Sequence, residues 1–179
     1  PGLVVVDEAY QDFSQQASWL PLINQFPNLV VLQTFSKAWG LAGLRIGMAY
    51  SNSFVINILN KVKYPYNLNA MTMRLGLEAI KQPALVASNV AAILLERDRL
   101  QTALPHLECV EKVFPSEGNF LLVRVKDADG LYQYLAQNGI IVRNRSREPR
   151  CENCLRITVG TSAENNRLVE IIGNYSPQP

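Results

Sequence analysis

The chain has 179 residues, 48% of them hydrophobic and 18% charged, with a net charge of +2. That length buries a real core in one domain or two small ones, and the composition is globular, excluding disordered and fibrous classes. Lysines and arginines are scattered except at Arg143, Arg145, Arg147 and Arg150, so bulk charge gives no sign of nucleic-acid binding.

Residues 3–6, LVVV, form a continuous apolar run, the pattern of a strand buried on both faces. It ends in Asp7-Glu8-Ala9-Tyr10. Ligands of open α/β sheets gather at the carboxyl ends of strands, which puts Asp7 where a cofactor would sit. Residues 11–26 are amide-rich, with Trp19, Leu20, Leu22 and Ile23 as anchors, and read as a loop and a short helix ending near Pro27. Residues 13–36 carry no charge, yet Pro21, Pro27 and six Asn or Gln residues exclude a membrane span there. A second apolar strand at 30–32 runs into Thr34-Phe35-Ser36-Lys37, and a loop with Gly40 and Gly43 delivers Arg45 ahead of another predicted strand at 44–50.

A capped helix is predicted over 53–62, then a rigid Tyr64-Pro65-Tyr66-Asn67 loop and a helix over 71–81. Pro83 opens the next helix, whose apolar stripe over 84–104 is interrupted by Arg97. A helix of about twenty residues spans about 30 Å and can bridge two domains, so the boundary is placed at its start, giving domains 1–83 and 84–179. Strands follow at 110–114 and 120–125, Asp127 caps a helix that Gly139 stops, and strands recur at 140–143 and 155–159. Thr161-Ser162-Ala163-Glu164 is a capping box opening a last helix to Gly173. This β-β-α-β-β-α order describes a small α+β layer with helices on one face of its sheet.

A lysine at the end of a buried strand is a costly placement, because desolvation favours the neutral, nucleophilic amine. A lysine that condenses with an aldehyde needs that amine. Ser36 can donate to a phosphate, Arg45 offers a planar fork to the same group, and Gly40 and Gly43 let backbone approach closely. Together these residues suggest a phosphorylated aldehyde cofactor, pyridoxal phosphate. Asp7 then suits the pyridine nitrogen, whose protonated form is the stronger electron sink, and Tyr10 suits the ring hydroxyl. Taken singly, each has a plain alternative: a surface lysine, a strand-end turn for Asp7.

DEAY followed by TFSKAWGLAGLRIG, with the lysine thirty residues after the aspartate, resembles the fold-type I pyridoxal-phosphate-dependent aminotransferases, and in detail their branch acting on histidinol phosphate. The similarity runs over essentially the whole chain. It implies the carboxyl-terminal part of a three-layer α/β large domain followed by a small α+β domain. It implies that Lys37 joins the cofactor aldehyde and moves the substrate proton, that Asp7, Tyr10, Ser36 and Arg45 hold the cofactor, and that a homodimer acts on glutamate and histidinol phosphate, with other aromatic or phosphorylated substrates left open. No signal peptide is visible, which favours the cytoplasm. Arg156, in CLRITVGT, matches the residue clamping the substrate α-carboxylate; Arg143 matches the basic residue for the substrate phosphate. A structural salt bridge and a solvated basic loop are the respective alternatives. Asn119, Tyr66 and Asn67 lie on loops near the family's active site.

LVVVDEAY also fits the Walker B strand of a P-loop ATPase, but that chemistry has no need of the Lys37 to Arg45 stretch, and no GxxxxGK[ST] motif is present. A binding module without catalysis on the same fold is a third reading, against which the joint presence of Lys37, Asp7, Tyr10 and Arg156 argues. Cys151 and Cys154 have redox or zinc spacing, but zinc needs four ligands and His106 is far off in sequence. They read as a chance pair, and no metal is expected. The first methionine is Met48 and the chain enters a strand directly from Pro1-Gly2, so a longer protein is expected.

Overall fold

In the computed structural model, which describes residues 2–176, the chain divides into two compact units, Pro1–Val90 and Ala91–Pro179. The division falls inside a helix, Pro83–Ala103, a few residues beyond the expected boundary after 83.

In the first unit, β1 (Val4–Asp7), β2 (Leu29–Thr34) and β3 (Gly47–Tyr50) make a three-stranded sheet in the order β1-β2-β3. β1 runs parallel to β2 with Asp7 opposite Leu32, and β3 returns antiparallel with Gly47 opposite Thr34. Parallel register brings the carboxyl ends of β1 and β2 to one edge, the edge where such sheets bind ligands. β2 carries the core: Leu29, Val30 and Val31 are buried. β1 does not match the expectation of burial on both faces, since Leu3, Val4 and Val5 are each more than half exposed. Among the described residues it has one neighbouring strand, so one edge and much of its apolar surface lack cover there. The strand expected from residue 44 begins only at Gly47, because Ala42–Leu44 is a 3-10 turn and Arg45 is left-handed. The short helix expected before Pro27 is likewise two single 3-10 turns, Gln11–Phe13 and Leu20–Leu22.

Glu8, which the sequence did not single out, is a buried charge in this unit. Its carboxylate accepts from Ser18 Oγ at 2.7 Å, the Trp19 amide at 2.6 Å and Gln33 Nε2 at 3.0 Å. Burial pushes its carboxyl up, but the hydrogen bonds from Gln33, Trp19 and Ser18 outweigh that and hold it below the usual carboxylate range. Glu8 thereby ties the loop after β1 to β2, fixing Asp7 beside the lysine turn. Helices α1 (Ser53–Val62) and α2 (Ala70–Ala79) start on asparagine caps: Asn52 accepts from the Val55 amide at 3.1 Å and Asn69 from the Thr72 amide at 2.8 Å. Their outer faces leave Phe54, Ile58, Met71, Leu75 and Leu77 exposed.

The second unit takes the later part of α3 (Pro83–Ala103), whose stripe is buried at Arg97 and Leu100. Strands β4 (Val110–Val113), β5 (Phe120–Val125), β6 (Arg143–Asn144) and β7 (Cys154–Thr158) form an antiparallel sheet in the order β4-β5-β7-β6. Alternation along β5 buries Leu121, Val123 and Val125 while Phe120, Leu122 and Arg124 stay half-exposed. The inner face packs on Leu131 and Leu135 of α4 (Ala128–Gln137) and on Leu168 and Ile172 of α5 (Ser162–Gly173). Each such buried side chain contributes roughly 1.5–3 kcal/mol before chain entropy is subtracted. The strand expected over 140–143 shrinks to two paired residues, since only Arg143 and Asn144 find partners on β7. Among the described residues no helix is long and apolar enough to cross a membrane, and no cluster of side chains could hold a metal ion.

Asp127 caps α4 by accepting from the Gly130 amide at 2.9 Å, and its other oxygen accepts from the Tyr175 hydroxyl at 2.8 Å. A methyl group at Gly130 would collide with both the Asp127 carboxylate and the Tyr175 oxygen. Burial, and then the bond to Asp127, push the Tyr175 hydroxyl up to about 12. A folded-state value above the unfolded one, about 10, gives stability that is present below pH 10 and lost as pH rises toward 12. Tyr175→Phe should therefore cost about 1 kcal/mol at neutral pH and flatten the loss of stability between about pH 10 and 12. Urea unfolding of both proteins across that range, followed by circular dichroism, checks it; an unchanged alkaline slope in the variant refutes the role of this pair.

Candidate active site

β2 ends at Thr34, and the turn beyond it is closed by backbone bonds from Gly40 N to Lys37 O and from Leu41 N to Phe35 O, both 2.9 Å. Gly40 has φ +69, a conformation glycine adopts without strain. Gly43 shows no positive φ, and neither it nor Gly40 has an atom within 4 Å of a Cβ, so the close approach expected at both is not seen among the described residues. The turn lifts Lys37 past the strand end, where it is half-buried instead of lying within a buried strand.

Thr34 organises this region and was missed by sequence reasoning. Its Oγ1 accepts from the Ser36 amide at 3.0 Å, and its single hydroxyl hydrogen has two acceptors in reach, Ser36 Oγ at 2.9 Å and Ile46 O at 3.1 Å. One side chain thus links the lysine turn to the residue after Arg45. The motif carried a signal, a second hydroxyl two residues before Ser36, but the return of the chain at Ile46 is tertiary. Arg45 itself has φ 55, a region that costs a non-glycine residue roughly 1–2 kcal/mol and collects at functional sites. Its Nη1 donates to Ala42 O at 3.0 Å, leaving the other guanidinium hydrogens to the solvent side.

Asp7, Ser36, Lys37 and Arg45, together with Gln33 and Thr34, line one cleft of about 520 Å³. Asp7 is exposed and accepts from the Ala9 amide through Oδ1 at 2.9 Å, and among the described residues no hydrogen bond reaches Oδ2. Tyr10 joins the group through Lys37, whose Nζ stands 5.0 Å from its ring centroid. Among the described residues no carboxylate lies within 4.0 Å of Lys37 or Arg45, and no cation within 4.0 Å of Asp7. The cleft thus presents a carboxylate, an amine and a guanidinium that no ion pair among the described residues ties up. Tyr66 and Asn67, both exposed on their loop, do not line this cleft.

In the second unit Arg156 of β7 stands directly opposite Arg143 of β6. Like charges facing each other across a ladder are destabilising unless something answers them. Arg156 lies over the Phe120 ring at 5.1 Å, and its Nε is buried without a hydrogen-bond partner among the described residues. The salt bridge that would make this arginine purely structural is absent among the described residues. Arg143 also lines a groove of about 550 Å³ with Arg145 and Arg147; Arg145 pairs with Glu148 at 3.6 Å, whereas Arg147 and Arg150 are exposed. Asn119 is half-buried, its carbonyl accepting from the Val159 amide at 2.9 Å.

Residues 1–172 match the family model "Aminotransferase class I and II", and the chain belongs to that family, whose members depend on pyridoxal phosphate. The match sets aside the ATPase reading of LVVVDEAY. The chain is 47% identical over 171 residues to a histidinol-phosphate aminotransferase of Flavobacterium psychrophilum, covering 96% of this chain and 49% of that protein. It superposes on the histidinol-phosphate aminotransferase of Clostridium acetobutylicum with a TM-score of 0.88 at 19% identity, covering 96% of this chain and 53% of the other, a likeness of fold alone. With the L-threonine-O-3-phosphate decarboxylase of Porphyromonas gingivalis the TM-score is 0.84 at 28% identity, over 94% of this chain and 53% of that one. The chain spans about half the length of the relatives it matches.

Proposed function

We propose that this chain supplies the lysine-bearing part of a histidinol-phosphate aminotransferase, which passes the amino group of glutamate to imidazole acetol phosphate and so yields 2-oxoglutarate and histidinol phosphate. The observation that carries the proposal is the cleft that collects Lys37, Asp7, Ser36 and Arg45, with no salt bridge to any of them among the described residues. That donor set fits pyridoxal phosphate: a hydroxyl and a guanidinium for its phosphate, an amine for its aldehyde and a carboxylate for its ring nitrogen. When bound, the cofactor supplies an electron sink for the carbanion at the substrate Cα.

Lys37, as a free amine, takes the Cα proton and returns it on the other side of the exchange; Asp7 holds the proton on the ring nitrogen; Tyr10 orients the ring oxygen. Arg156 forks onto the α-carboxylate, and Arg143 meets the phosphate of the larger substrate. The proposal takes residues 1–83 as part of the three-layer cofactor-binding domain and 84–179 as the small α+β domain. It places the enzyme in the cytoplasm as a homodimer, with small molecules as its ligands and no role for metal, membrane or nucleic acid.

The exposed apolar side chains of β1, α1 and α2 lead us to expect that this chain alone self-associates and transaminates poorly. The test follows conversion of added pyridoxal phosphate by glutamate, in the chain alone and in the chain complemented with the amino-terminal half of the Flavobacterium psychrophilum relative. Turnover should appear only in the complemented sample, with the chain alone sedimenting as oligomers. A normal rate from a monomeric chain alone would contradict this expectation, and no turnover in the complemented sample would overturn the proposed reaction.

A further inference from the structure

None of the three cysteines takes part in the proposed reaction, and all three are free thiols: Cys109 and Cys154 are buried, Cys151 is partly exposed. Cys151-Glu152-Asn153-Cys154 is a hydrogen-bonded turn, with the Cys154 amide donating to Cys151 O at 3.0 Å and Asn153 at φ 53. A turn of this kind holds its first and fourth Cα atoms within about 7 Å. Disulfides bridge Cα separations of about 4.4–6.8 Å. The turn is fixed by main-chain bonds on both sides, from Cys151 N to Glu148 O at 3.0 Å and from Arg145 N to Cys154 O at 2.8 Å, so neither sulfur is needed to hold it. Cys154 is fully buried, and its Sγ lies 3.5 Å from Glu152 O, back along the turn.

We propose that Cys151 and Cys154 are a reversible dithiol–disulfide couple, a modification site oxidised by low-molecular-weight disulfides. The more accessible sulfur reacts first. The Cys151 thiolate attacks one sulfur of the small disulfide, forming a mixed disulfide and releasing one small thiol. The Cys154 thiolate then attacks Cys151 Sγ, forming the intramolecular bond and expelling the second small thiol. Two protein thiols are oxidised and one small disulfide is reduced to two thiols, with the two protons passing to the departing thiolates. The bond closes so short a loop that it restrains the unfolded chain little, which suits an exchangeable link better than a structural staple. Cys154 is the first residue of β7, the strand that carries Arg156 two positions on, so the couple covalently marks the entry to that strand.

The test equilibrates the native chain in a series of reduced and oxidised glutathione mixtures, quenches in denaturant with an alkylating reagent, and counts modified cysteines by mass. As the mixture becomes oxidising, the alkylated count should fall from three to one, with the mass lowered by two hydrogens and no glutathione retained. Cys154→Ser should stop at a single glutathione adduct on Cys151, and Cys151→Ser should keep both remaining thiols. Three alkylated cysteines throughout, a lasting adduct on Cys151 in the unaltered chain, or a disulfide involving Cys109 would each overturn the proposal.

Discussion

Asp7→Asn should lower turnover by about 10²- to 10³-fold while leaving the fold in place, an effect of the size seen when one preorganised electrostatic contact is removed from an active site. The substitution is nearly isosteric. Asn Oδ1 can go on accepting from the Ala9 amide, as Asp7 Oδ1 does at 2.9 Å, and Glu8 continues to hold the loop through Ser18, Trp19 and Gln33. What disappears is the negative charge on the free oxygen at the cleft. An amide cannot stabilise a proton on the ring nitrogen, so electron withdrawal from the substrate Cα weakens. Single-turnover kinetics with glutamate in the complemented protein, alongside circular dichroism, separate the chemical effect from misfolding. A folded variant with near-normal turnover would remove Asp7 from the proposed role.

The second large effect separates the two arginines that face each other across β6 and β7. Arg156→Lys should weaken glutamate, the substrate that carries an α-carboxylate, by about 10-fold or more in kcat/KM, because an ammonium loses the bidentate fork and the guanidinium's place over Phe120. Arg143→Ala should spare glutamate and penalise histidinol phosphate, because the phosphate is the group only the larger substrate carries. Relief of like-charge repulsion across the ladder works the other way, so Arg143→Ala is also expected to leave stability unchanged or slightly raised. Steady-state kinetics with both amino donors decide the matter: equal losses for the two in Arg143→Ala would place that residue outside the phosphate site.

Local chemistry made much of this legible. Thr161 and Glu164 form the reciprocal capping box written in the sequence, Asp127 caps α4, Gly139 ends it with φ +76, and α1 spans the expected 53–62. These features depend on neighbours a few residues apart. The candidate cleft was legible for a related reason: Ser36, Lys37 and Arg45 lie on one short return of chain, and Asp7 ends the strand paired with β2. Other features depend on register between distant segments, which periodicity does not encode. Nothing within residues 140–145 says that Arg143 will face Arg156 or that the strand will be two residues long. Glu8 looked like a neighbour of Asp7 until Ser18, Trp19 and Gln33 converged on it. The apolar run of β1 signalled a demand for burial, and the described residues leave that demand unmet.

Lys37 is the centre of the account, and one measurement reaches it directly. The complemented protein is mixed with an equimolar amount of pyridoxal phosphate, reduced with borohydride, digested, and mapped for the pyridoxyl group by mass spectrometry. The account predicts a single modified peptide carrying the group on Lys37, lost in Lys37→Ala and suppressed by excess inorganic phosphate competing at Ser36 and Arg45. Modification centred on Lys61 or Lys63, or spread evenly over the lysines with no preference for Lys37, would contradict it.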